Sequence, residues 1–135
     1  YVVASLRSLT ESELRTYRLT IDGESVDAEG LTCLITNSAS VGGPGSFRFS
    51  PDVDPCDGQL DVFVLDTSFE SLVAAVSSAL EADTVAYKHH WTGREIHVET
   101  PVQQAVTVDG EPFGETPVTA SIEPQALRVV VPVGA

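Results

Sequence analysis

Short alternating runs closed by Asp-Gly pairs constrain this chain more than any other feature. Tyr17-Arg18-Leu19-Thr20-Ile21 alternates apolar and polar residues, the period of a strand with one buried face. Asp22-Gly23 follows, and Asp-Gly is a strong signal for a two-residue hairpin turn. Leu31-Thr32-Cys33-Leu34-Ile35-Thr36-Asn37 reads as a second, more apolar strand, and Leu60-Asp61-Val62-Phe63-Val64-Leu65 as a buried one. Further strands are expected at about 85–91, 94–99, 104–108, 117–122 and 126–132, with Thr92-Gly93 and Asp109-Gly110 as turns between them. Two segments read as helix. Residues 1–10 carry Val3, Leu6 and Leu9 at near-helical spacing and are expected to be a helix end. Residues 67–82 form the main helix: Thr67 and Glu70 have capping-box spacing, and Phe69, Leu72, Val73, Val76 and Leu80 fall on one face. The expected fold class is α+β and mostly β, an antiparallel β-sandwich-like domain with one main amphipathic helix.

Composition bounds the function. The 135 residues are 42% hydrophobic, enough for one packed core. No apolar run is long enough for a transmembrane helix, and no signal-peptide pattern opens the chain. Twenty acidic residues face seven basic ones, a formal charge of −13, which repels phosphate backbones and argues against nucleic acid as a partner. Such acidity suits either a solvated acidic face or a salt-loving host. Lys88 as the single lysine beside six arginines favours the host reading. Cys33 and Cys56 lack metal-site spacing. Cys33, in an apolar run, reads as a core residue, and reduced thiols fit a cytoplasmic protein.

Several residues invite chemistry. Asp22-Gly23 reads as a turn alone. His89, His90 and His97 read as surface or hairpin histidines, because adjacent His89 and His90 point to opposite faces of a strand. Trp91 reads as a local packing anchor. The Gly-rich stretch from Ser40 to Gly45 lacks the lysine of a P-loop and reads as a plain connection. Asp52, Asp54, Asp57 and Asp61 crowd ten residues around Pro55. Such crowding is costly unless water or a cation offsets it, and oxygen donors on a short loop suit Mg²⁺ or Ca²⁺.

A longer ordered pattern surrounds these residues. It runs Ile35-Thr36-Asn37-Ser38, Gly42-Gly43, Pro51, Asp57-Gly58-Gln59-Leu60-Asp61-Val62, then Val108-Asp109-Gly110-Glu111-Pro112, Ile122-Glu123-Pro124-Gln125-Ala126-Leu127 and Val129-Val130-Val131-Pro132. This set resembles the C-terminal domain of the diacylglycerol kinase/YegS-like lipid kinases, a superfamily that includes sphingosine kinases and, more distantly, NAD kinases. The resemblance implies a two-domain kinase with ATP as co-substrate in the cleft between domains. It implies Glu111 as the catalytic base and Asp109 as its supporting carboxylate, sharing a face if the loop is extended. It also implies a structural Mg²⁺ held by the Asp57 carboxylate with backbone carbonyls of Asp54 and Gln59. The chain starts at Tyr1, contains no methionine and lacks the Gly-Gly-Asp-Gly-Thr nucleotide motif. The expectation is therefore the substrate-side domain alone, inactive by itself, with the nucleotide-binding domain elsewhere. Its partners would be a lipid hydroxyl such as diacylglycerol at a membrane surface, ATP and, in a homodimer, a second copy. The alternatives are a nucleotide kinase domain of the NAD kinase type or a non-catalytic binding module.

Overall fold

The computed structural model of the protein describes residues 3–7, 13–38, 40–41, 47–48, 52–68, 70–71, 87–130 and 132–134. Twelve strands are described: β1 (Val3–Arg7), β2 (Arg15–Ile21), β3 (Glu24–Gly30), β4 (Thr32–Thr36), β5 (Ser40–Val41), β6 (Phe47–Arg48), β7 (Leu60–Leu65), β8 (Tyr87–Gly93), β9 (Glu95–Glu99), β10 (Ala105–Val108), β11 (Glu111–Glu115) and β12 (Val118–Ser121). They form a six-stranded sheet in the order β11-β10-β1-β4-β7-β8, a four-stranded sheet in the order β12-β9-β2-β3, and the pair β5-β6. Every pairing is antiparallel.

The two larger sheets pack face to face. Tyr17, Leu19, Ala28, Ile96 and Val98 of the smaller sheet meet Cys33, Ile35, Leu60, Val62, Val64 and Val106 of the larger in one apolar cluster. Trp91 packs against that cluster as the anchor its position suggested. The alternation in β2 and β9 follows from this: every second side chain enters the core, and the others reach solvent. β4 and β7 differ, being buried at every residue. Leu34, Phe63 and Leu65 fill the face away from the second sheet, each 0–1% exposed. The chain crosses between sheets at Gly30. A Cβ there would lie 2.5 Å from Val64 Cγ1 and 2.8 Å from the Leu65 carbonyl, so only glycine fits the crossing.

Three expectations need correction, and a fourth lies largely outside the described residues. Residues 3–7 are a strand within the larger sheet, not a helix end; β1 completes ladders with both β10 and β4, and those hydrogen bonds outweigh a weak helical spacing. The expected strand at 126–132 is irregular over 126–130. It follows a Pro124-Gln125 turn in which Gln125 has φ +58°, and an apolar run without a neighbouring strand has no ladder to join. β3 and β11 were not expected as strands. β3 does alternate, but with Val26 and Ala28 as its only apolar members. β11 begins directly after the Asp109-Gly110 turn and contains Pro112, tolerated because this is an edge strand. The helix expected over 67–82 lies outside the described residues except near its start, where Glu70 and Ser71 are helical. Ser68 Oγ accepts the Ser71 N–H at 3.2 Å. The cap on that N–H is thus Ser68 rather than Thr67, whose carbonyl accepts the Thr32 hydroxyl at 2.7 Å.

Candidate functional site

The strand register gathers the predicted site residues at one end of the six-stranded sheet. One row across it reads Glu111, Val108, Ala4, Ile35, Val62 and Trp91. The next row outward reads Val3, Thr36, Asp61 and Thr92. Beyond that row lie the Asp109-Gly110 turn, Asn37 and Ser38 after β4, and the acidic loop 52–59 entering β7. The two acidic features share this end but are not adjacent. Four strand spacings separate β11 from β7, about 19 Å at ~4.8 Å each.

Asp109 and Gly110 are the two turn residues of the β10–β11 hairpin, with φ +50° and +84° and Val108 paired to Glu111. Asp22 (φ +50°) and Gly23 (φ +89°) close the β2–β3 hairpin in the same way. Positive φ at both central residues is the type I′ turn, whose twist matches the strands it joins. The loop is therefore tight rather than extended, and Asp109 and Glu111 do not share a face by strand alternation. Glu111 is instead the first residue of β11, a strand exposed along its whole length. A bulge at Phe113 lets two β11 steps oppose the one from Val106 to Thr107.

Asp54, Asp57 and Gln59 come together on one loop. Asp54 Oδ1 accepts the Cys56 N–H and Asp57 Oδ1 the Gln59 N–H, both at 2.8 Å. Asp57 N–H points at the Asp54 carbonyl at 3.4 Å. Two successive Asx turns thus shape the loop, with Gly58 at φ +73°. Each carboxylate keeps a second oxygen, and the Asp54 carbonyl keeps a lone pair. Among the described residues no three His, Cys, Asp or Glu side chains converge as metal ligands. The donor set fits Mg²⁺ held by one carboxylate, backbone carbonyls and water, all hard oxygens. It does not fit a cage of carboxylates.

Two residues at this end form a pair that the sequence did not disclose, Asp61 being read there as one of the crowded acids and His90 as a surface or hairpin histidine. Asp61, 1% exposed, accepts from His90 Nε2 at 2.7 Å. His90 is a hairpin histidine, half-buried on β8: its ring stacks on Phe63 with centroids 4.2 Å apart, and Tyr87 meets both rings edge-on. His89 stacks on Trp91 instead, consistent with adjacent residues taking opposite faces. Burial raises the Asp61 carboxyl above its usual range; the His90 contact pulls it down and the Asp57 charge pushes it up. The available signal was a lone acid in an apolar strand, since charged residues are almost never fully buried unless paired. The partner, twenty-nine residues away, has no such signal. Among the described residues, the buried side-chain oxygens without a hydrogen-bond partner are Asn37 Oδ1 and Asp61 Oδ2. Both belong to this end of the sheet. A groove on the outer face of the smaller sheet, lined by Arg18, Asp27 and Glu99, contains none of the predicted site residues.

Comparison with known proteins agrees with this architecture. The family described as "YegS C-terminal NAD kinase beta sandwich-like domain" matches residues 1–131. A Staphylococcus haemolyticus protein named "Putative lipid kinase SH2167" is 26% identical over 136 residues, covering 96% of this chain and 43% of its own. A Synechocystis protein, "Uncharacterized protein sll0036", is 30% identical over 145 residues, covering 98% of this chain and 32% of its own. The chain thus spans less than half the length of these relatives. A structure described as "A putative diacylglycerol kinase from Bacillus anthracis str. Sterne" superposes with a TM-score of 0.65 at 21% identity, over 90% of this chain and 50% of that one. Two antiparallel sheets packed face to face, with acidic turns gathered at one end of the larger, define a β-sandwich of the NAD kinase type. The chain belongs to the YegS C-terminal domain family.

Proposed function

We propose that this domain is the substrate-side half of an ATP-dependent lipid kinase that phosphorylates a lipid hydroxyl such as that of diacylglycerol. The observation that carries the reading is the Asp109-Gly110 turn, which presents Glu111 at the start of an exposed edge strand, at the same sheet end as the Asp57 loop. Relatives named as lipid kinases support the substrate class. In the proposed reaction the lipid oxygen forms a bond to the γ-phosphorus of ATP, the bond from that phosphorus to the β-phosphate oxygen breaks, and ADP leaves. Glu111 accepts the hydroxyl proton, which raises the nucleophilicity of the oxygen. Asp109, two residues before it, would help to hold Mg²⁺–ATP or orient the base. A Mg²⁺ ion at Asp57, with the Asp54 and Gln59 carbonyls, would supply fixed positive charge beside the acidic loop. A lipid substrate places the working enzyme at the cytoplasmic surface of a membrane.

The test is Glu111→Gln in a chain that also carries the Gly-Gly-Asp-Gly-Thr nucleotide motif. Glutamine keeps the shape and loses the basic oxygen. kcat for lipid phosphorylation should fall about 10²–10⁴-fold with little change in ATP affinity. A wild-type rate would make Glu111 an ordinary strand residue and remove the catalytic assignment.

A further inference from the structure

We infer that β8, at one edge of the larger sheet, is the surface by which this domain meets an anionic lipid bilayer, with Lys88 as the charged contact and the Tyr87 and Trp91 rings as the interfacial ones. That occupant rests on the lipid-kinase reading above. Tyr87-Lys88-His89-His90-Trp91-Thr92-Gly93-Arg94 holds the chain's single lysine and single tryptophan, and no acid. β8 ends the larger sheet and, among the described residues, pairs with β7 alone. The other edges of the two larger sheets differ. β11 carries Glu111 and Glu115, β3 carries Glu24, Asp27 and Glu29, and the four residues of β12 are uncharged. A domain of charge −13 can therefore bring positive charge edge-on to a surface at β8 and at none of these other edges. Distant carboxylates repel an anionic bilayer, but screening confines that repulsion to about 8 Å at physiological salt, so the edge in contact decides.

The groups on β8 suit such a surface. Tyr87 is 40% exposed, with its ring braced edge-on against Phe63, centroids 5.1 Å apart. The Lys88 side chain is exposed, and its contact with Asp66, at 3.8 Å, is too long for a hydrogen bond; the ammonium keeps its donors for a lipid phosphate. Trp91 is half-buried, packed against the core and stacked by His89 with ring centroids 5.2 Å apart. Tyr and Trp rings with an apolar body and a polar tip collect at the headgroup level of bilayers. Each Lys or Arg near an anionic surface strengthens binding about five-fold.

The experiment measures sedimentation of the intact protein with vesicles of phosphatidylcholine, with and without phosphatidylglycerol. Wild type should bind only the vesicles that contain phosphatidylglycerol. Lys88→Glu changes two units of charge and should weaken that binding about 25-fold. Tyr87→Ser should weaken it as well, whereas Arg18→Glu, on the outer face of the smaller sheet, should leave it unchanged. Trp91, as the single tryptophan, reports the contact face directly: a spin-labelled lipid in the bound vesicles should quench its fluorescence. Bound protein with unquenched Trp91, Lys88→Glu binding equal to wild type, or an equal loss in Arg18→Glu would overturn the assignment of this edge. No binding, or equal binding to both vesicles, would overturn the anionic surface. The readout is binding alone, so it is separable from the Glu111→Gln test of phosphoryl transfer: either can fail while the other stands.

Discussion

Cys33 and Tyr17 belong to one core cluster, and burial makes each hold its proton more tightly. Burial pushes the Cys33 thiol up to about 12 from 9.0. Burial also raises the Tyr17 phenol, Cys33 adds to that rise, and Arg15 opposes it. Both groups stay protonated in the folded state and ionise once unfolding exposes them. Their contribution is therefore fully present below pH 9 and is lost as pH rises from 9 toward 12, at about 1.4 kcal/mol per pH unit for each group ionised in the unfolded chain alone. Denaturant unfolding between pH 8 and 11 should show this decline. Cys33→Ala, less stable at neutral pH because of its cavity, should show a shallower slope. An unchanged slope would mean the thiol does not titrate on unfolding. The candidate-site residues differ in how far local sequence marks their position. Asp57, Asp109 and Glu111 sit in local turn chemistry that a sequence displays. The Asp61–His90 pair depends on β7 lying beside β8, which no local pattern encodes.

At the scale of elements, alternation revealed the strands that face one core, such as β2 and β9, and an apolar run revealed β4 and β7. It failed where tertiary pairing decides: β1 exists because β10 and β4 flank it, and β11 because β10 offers an edge. The two Asp-Gly hairpins share a turn type, and the first is anchored through its carboxylate. Asp22 accepts the Arg94 N–H at 2.9 and 3.2 Å and the Glu95 N–H at 2.9 Å, and its own N–H donates to the Glu95 carbonyl at 3.0 Å. One carboxylate thus ties the β2–β3 turn to the β8–β9 turn, joining the end of the larger sheet to the smaller. Asp22→Gly preserves positive φ and deletes this clamp, with a smaller added cost from the freer unfolded backbone. Its cost should be about 1–2 kcal/mol in chemical denaturation. A loss below a few tenths would show that the turn's backbone, not its carboxylate, holds the junction.

Across the whole molecule, −13 of formal charge is spread over a domain with few cations to offset it. The described ion pairs are thin. Arg18 meets Asp27 at 3.1 Å with both side chains more than half exposed, and Lys88 reaches Asp66 only at 3.8 Å. Pairs this exposed contribute little, so self-repulsion is left to the solvent. Salt that screens it should raise Tm progressively in KCl up to molar concentrations, where the Debye length falls to about 3 Å. A Tm independent of KCl would remove the salt-adapted reading.

The complete burial of β4 and β7 gives the two parts of the candidate site different stiffness. Every residue of these strands is sealed, and amides in such a position exchange with solvent only when the whole domain opens. The acidic loop runs directly into β7, so its oxygens are mounted on a fully buried strand. Glu111 stands on β11, exposed at all five residues and paired on one side only, where opening is local and inexpensive. The proposed cation loop therefore stands on a fixed frame, and the proposed base on one that yields. The same sheet provides both, graded from its centre to its edge.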